Sequence, residues 1–114
     1  MNKEQLNQEL SKIEASIIRW EDFALKTEEL ISALMQEPIN STSRAKKEDI
    51  YKKMGEMNHG MDSEMELLME LPKKYPDLIT TAEIRTLLKR GYIAGKFTSF
   101  MGGFLGYVYG RGSN

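Results

Sequence analysis

The side chains best suited to binding chemistry lie in the last third of the chain, where Arg85, Lys89, Arg90, Lys96 and Arg111 are interleaved with Tyr92, Tyr107 and Tyr109. Guanidinium and ammonium groups beside aromatic rings can hold an anion by charge while a ring covers its flat part. Arg85 and Lys89 are one turn apart on a helix and so share a face. These eight are the candidate ligand-binding residues, and the ligand they suit is an anionic, nucleotide-like small molecule. The same charges also fit a solvated helix face or a dock for an acidic partner. Residues 1–79 carry 11 Lys/Arg against 16 Asp/Glu, whereas residues 80–114 carry five against one, a split of −5 and +4 inside a net charge of −1. Acidic helices of another copy of the chain are therefore one such partner. Five cations in a chain of pI near 5.9 leave too weak an electrostatic footprint for nucleic acid to be expected as a partner.

Other chemistries find little to work with. There is no cysteine and one histidine, His59, so the nitrogen and sulphur ligands of a zinc site are missing, and no metal is expected. The carboxylates Glu56, Asp62, Glu64, Glu66 and Glu70 are numerous but form no Glu-x-x-His pair of the di-iron bundle type. The serines lie in helix or turn sequence without a nucleophile elbow, and Gly102-Gly103-Phe104-Leu105-Gly106 lacks the Gly-Lys-Ser/Thr ending of a phosphate loop. No catalytic residue, cofactor or enzyme activity is expected.

These residues must be positioned by helices. At 114 residues the chain has room for one domain, and 40% hydrophobic with 29% charged residues is ordinary globular usage. From about residue 2 to 37 there is no Gly or Pro, and apolar or small residues recur in alternating steps of four and three at Leu6, Leu10, Ile13, Ile17, Trp20, Ala24, Thr27, Ile31 and Leu34. That is a heptad seam on a helix of roughly 50 Å at about 1.5 Å per residue. Pro38 ends it, and the polar run that follows offers N-caps for a second helix over about 44–71. Its apolar side reads Ile50, Met54, Met57, Met61, Met65 and Leu68, for which core filling is sufficient explanation, although a Met-rich face also suits an adaptable binding surface. Gly55 and Gly60 predict a bend or break near 58–60, with His59 as a surface or hinge residue. Thr80-Thr81-Ala82-Glu83 matches a capping box and starts a third helix over about 81–109. That helix reads through Ile84, Leu87, Leu88, Ile93, Phe97, Met101, Leu105 and Val108, with glycines in rows four apart.

The fold expected is all-α: a long N-terminal helix in an antiparallel hairpin with helix 2, plus a glycine-rich C-terminal helix, in a single helical domain over 1–114. So long an apolar seam, left uncovered, would be a large exposed patch, which points to a homo-oligomer. Its expected interface is Leu6, Leu10, Ile13, Ile17 and Trp20 with Gly91, Gly95, Gly102 and Gly106. The function expected is a non-enzymatic interaction protein, a small regulator or inhibitor that acts by occupying a partner. Two alternatives stand beside it. One is a phage-type protein that sequesters the anionic ligand at intersubunit pockets. The other is a membrane-associated protein using residues 91–110, whose one charge is Lys96 but whose glycines and tyrosines lower its apolarity. Absence of cysteine and of an apolar leader in the first residues makes the cytoplasm, bacterial or phage-infected, the expected location.

Overall fold

The computed structural model describes the backbone of residues 1–112 and the side chains of residues 1–110. Among these residues the chain forms three α-helices, α1 (Lys3–Leu34), α2 (Ser41–Lys74) and α3 (Thr81–Gly112). Each begins on a side chain that accepts an orphan backbone N–H. Asn2 Oδ1 accepts from the Gln5 N–H (2.8 Å) while the Asn2 N–H donates to Gln5 Oε1 (2.9 Å). Asn40 and Ser43 make the same reciprocal pair, both at 3.0 Å. At α3 the Thr80 N–H donates to Glu83 Oε1 (3.2 Å) and Thr80 Oγ1 accepts from the Glu83 N–H (3.3 Å).

The helices differ from the sequence expectation at several of their ends, α3 running to Gly112 rather than about 109, and at one expected break. α1 ends at Leu34 rather than near 37: Pro38 disfavours helical backbone at Glu37, and the last turn tightens through Gln36 N–H to Ala33 O and Glu37 N–H to Leu34 O. α2 starts three residues early, on Asn40, and continues through Pro72 into Lys74. It is also unbroken at 58–60. Gly55 and Gly60 face open space, and each costs about 1 kcal/mol of helix propensity, too little to break a helix held on both sides by buried Met54, Met61 and Leu68.

The helices run up, down and up. Lys3 Nζ donates to Leu78 O (2.7 Å), placing the start of α1 at the α2–α3 turn. Arg90 pairs with Glu21, so α1 and α3 lie parallel with α2 antiparallel to both, in a bundle 57 Å long and under 20 Å wide. Two clusters fill the core. One holds Leu6, Ile13, Ile17, Trp20, Met61, Leu68, Leu71, Ile79, Ile84 and Ala94. The other holds Ala24, Ile31, Leu34, Ile50, Met54, Met101, Leu105 and Tyr109. The heptad seam of α1 is thus covered by the chain's own α2 and α3, and needs no second copy to hide it.

The cap of α3 has a measurable signature. Thr80→Ala should lower stability by about 1 kcal/mol in a urea titration. The Thr80 N–H, followed by Lys3, holds the Glu83 carboxylate below its ordinary pKa. A group depressed in the fold contributes fully above its unfolded pKa and loses that contribution as pH falls through the folded one. Thr80→Ala keeps that backbone N–H but removes the hydroxyl that also donates to Glu83 Oε1 (3.2 Å), so only this smaller part of the difference between wild type and variant should fade on acidification below the ordinary carboxylate range, and the lost cap on the Glu83 N–H should remain. Glu83→Gln should remove the larger, pH-dependent part, and an acid profile unchanged in that variant would separate Glu83 from the cap.

Candidate functional site

α3 places its small residues inward and many of its large ones outward. The positions facing the core from 91 to 102 are Gly91, Ala94, Gly95, Phe97, Thr98, Met101 and Gly102, all buried or partly buried. On the outside lie Tyr92 (65% exposed), Ile93, Phe100 (72% exposed), Phe104 and Tyr107 (61% exposed). Ile93, read from the sequence as a core position, is on this outer side, and Ala94 takes its place inside. α3 is thus apolar on both sides over this stretch, whereas an ordinary amphipathic helix is polar on its outer side.

The inward glycines meet the chain's own large side chains. A β-carbon at Gly95 would lie 2.7 Å from Trp20 Cη2, and one at Gly91 would strike Met65 Sδ. At Gly102 it would come within 3.2 Å of Met54 Cε, and at Gly106 within 2.9 Å of the Tyr51 hydroxyl. That hydroxyl donates to Gly102 O (2.7 Å) and ties α2 to α3. All four glycines assigned to a subunit interface thus receive α1 or α2 of the same chain, as do Leu6, Ile13, Ile17 and Trp20, with Leu10 packed at the edge of that core. The reason is geometric: three long helices of similar length cover one another's seams. Gly103 and Gly110 are different, because nothing lies within 4 Å of a β-carbon at either.

The eight candidate ligand residues are not gathered into one site. Arg85, Lys89, Tyr92, Lys96 and Tyr107 share the outer face of α3 but spread along about 30 Å of helix at 1.5 Å per residue. Arg90 turns toward α1, where its Nε donates to Glu21 Oε2 (3.3 Å) and its Nη1 lies 3.8 Å from Glu14. The hydrogen bond to Glu21 raises its pKa and fixes the guanidinium to a carboxylate. Tyr109 is buried, with Arg44 and Lys47 of α2 over its ring at 5.9 and 5.7 Å. The side chain of Arg111 lies outside the described residues.

Two grooves flank α3. On the α1 side, Leu25, Ala24, Ile93, Ala94 and Phe97 line an apolar groove with Glu21, Glu28 and Arg90 at its edges. On the α2 side, a cavity of about 680 Å³ lies over Trp20, bounded by Asn58, Asp62, Met65 and Met69 of α2 and by Leu88, Gly91, Tyr92, Gly95, Lys96 and Ser99 of α3. Tyr92 and Lys96 are the candidate residues that reach it. Asn58 and Trp20 also line it, and sequence reasoning did not bring these two together. Among the described residues no three His, Asp or Glu side chains converge as a metal site, and no helix is long and apolar enough to cross a membrane. Compared with known protein families, curated proteins and solved structures, the chain matches none.

Proposed function

We propose that this chain is a non-enzymatic helical interaction protein that docks through the outer face of α3, and that the first occupant of that face is a second copy of the chain. The observation that carries this reading is the apolar outer face of α3, with exposed Tyr92, Ile93, Phe100, Phe104 and Tyr107 over a stretch whose one charge is Lys96. Contiguous exposed apolar faces of this kind mark interaction sites.

A second copy is favoured because the face is complementary to itself. In an antiparallel α3–α3 pair about a two-fold axis between residues 101 and 102, Phe100 lies opposite Gly103 and Ile93 opposite Gly110. Phe104 then lies opposite Ser99, and Lys96 opposite Tyr107. The three bulky side chains Phe100, Ile93 and Phe104 each meet a small one, and the cation meets a ring. Both glycines have open space around them, so the opposing side chain has somewhere to go. The antiparallel register also keeps Arg85 and Lys89 of the two copies at opposite ends, where like charges do not oppose one another. Leu25 and the groove beside Ile93 and Phe97 continue the apolar surface onto α1.

Sequestration of an anionic nucleotide-like molecule by the eight basic and tyrosine residues has less support, since Arg90 is held by two carboxylates and Tyr109 lies in the core. The test is mass in solution. Light scattering across a concentration series should give twice 13.1 kDa at high concentration, and Phe100→Glu should raise the dissociation constant by about 100-fold or more. A wild-type mass of one chain at all concentrations would overturn the self-docking reading.

A further inference from the structure

The surface between α1 and α3 carries a second pair of seams, outside the core. On α1, Glu14, Ile18, Glu21, Leu25 and Glu28 follow one another in steps of four and three, and on α3 so do Ile93, Phe97, Phe100 and Phe104. Both rows flank one groove, which Glu21, Leu25 and Glu28 line from α1 and Ile93 and Phe97 from α3. Its aliphatic residues on α1 are open to solvent, Ile18 at 51% and Leu25 at 61% exposure. Charge sets this groove apart from the others. The α1–α2 groove has Arg19 and Lys53 against Glu56 and Glu64, and the α2–α3 cavity has Lys96 against Asp62, so each of those is balanced. Along α1 and α3 three carboxylates stand against the one guanidinium of Arg90, which pairs with Glu14 and Glu21. Glu28 has no ion pair among the described residues.

We infer that this groove docks a basic amphipathic helix of another protein, laid along α1 and α3 as a fourth helix of the bundle. Its aliphatic anchors lie between Leu25 and Phe97, and its Lys or Arg side chains lie beside Glu21 and Glu28. A helix seated in a groove is read through anchors at helical spacing, which is the spacing both walls present. The unbalanced carboxylates select the sign of the partner, since charge at the edge of an interface supplies specificity and orientation more than raw affinity. The two rows extend roughly 20 Å at about 1.5 Å per residue, so a partner of three heptads spans them. The groove shares Ile93, Phe100 and Phe104 with the self-docking face, so its occupant and a second copy exclude one another. The inference does not rest on self-docking, because the groups that give the groove its sign lie on α1.

The probe is a fluorescent three-heptad peptide with Leu at positions a and d and Lys at e and g, whose like charges keep it from pairing with itself. Read by anisotropy against the full chain, it should bind saturably with one peptide per chain. A sister peptide with Glu in place of Lys should bind about tenfold or more weakly. Glu28→Lys should weaken the Lys peptide about fivefold or more and tighten the Glu peptide. Glu66→Lys, the same change of charge at an exposed position of α2, should leave the Lys peptide within about twofold of wild type. No binding of the Lys peptide would overturn the inference, and so would equal binding of the two peptides. Equal losses in Glu28→Lys and Glu66→Lys would overturn it as well, by showing attraction to net charge and not to the groove. A changed mass-against-concentration curve of the Glu28→Lys chain alone would give the groove to a second copy instead. That curve for wild type is measured without peptide, so failure of the peptide to bind and failure of the chain to pair are read separately.

Discussion

Gly95→Leu should destabilise the protein by about 3 kcal/mol or more, a large share of the roughly 5–15 kcal/mol that holds a domain folded. A β-carbon alone would lie 2.7 Å from Trp20 Cη2 and 3.2 Å from Cζ2, closer than packed carbons approach. Trp20 is a rigid ring inside the core and cannot bend away as Met65 can below Gly91. Replacing a helical glycine gains about 1 kcal/mol of propensity, so the clash must exceed that gain for the sign to be destabilising. Gly60→Ala is the control, since it takes the same propensity gain with nothing within 4 Å to strike. In urea titrations the two variants should move in opposite directions from wild type. A Gly95→Leu midpoint equal to or above wild type would mean that Trp20 does not pack beneath that glycine.

The α1 seam was legible because its periodicity is uninterrupted. Eight of its nine positions, Leu6 through Leu34 apart from Leu10, are buried where the alternating steps of four and three place them. α3 was less legible because side-chain size usually stands for burial, and here it does not. Ile93 looked internal and Thr98 did not, yet beside Gly91 and Gly95 the space inside is taken by Met65 and Trp20, so only small residues fit there, while Phe97, Met101 and Leu105 fill the core further along. The glycine rows did announce a close approach. What they could not reveal is which helix approaches, because Trp20 and Tyr51 are remote from Gly95 and Gly106 in sequence and meet them only through the up-down-up topology. The cavity was hidden for the same reason: Trp20 reads as one more seam residue, and Asn58 as part of a breakable stretch, until three helices bring them together. The basic and tyrosine residues show the opposite case. Their nearness in sequence suggested one site, but 100° per residue turns Arg90 toward Glu21 and Tyr109 into the core while Arg85 and Tyr107 point outward.

The self-docking register makes its sharpest statement at Gly103, where stability and association should move in opposite directions. Nothing lies within 4 Å of a β-carbon there, so Gly103→Leu should stabilise the single chain by up to about 1 kcal/mol through helix propensity. In the antiparallel pair that same leucine meets Phe100 of the second copy, and overpacking at the two symmetry-related contacts should weaken association by about 10-fold to 100-fold. The direction of size can then be exchanged. Phe100→Ala alone removes the bulky half of each contact and should also weaken the pair, but Phe100→Ala with Gly103→Leu restores a large residue opposite a small one. Residues in contact are non-additive in such a cycle, whereas residues on unconnected surfaces add. The double variant should therefore associate more tightly than either single variant, measured as mass against concentration. If its loss equals the sum of the two single losses, Phe100 and Gly103 do not face each other, and the outer face of α3 must meet a partner in some other register.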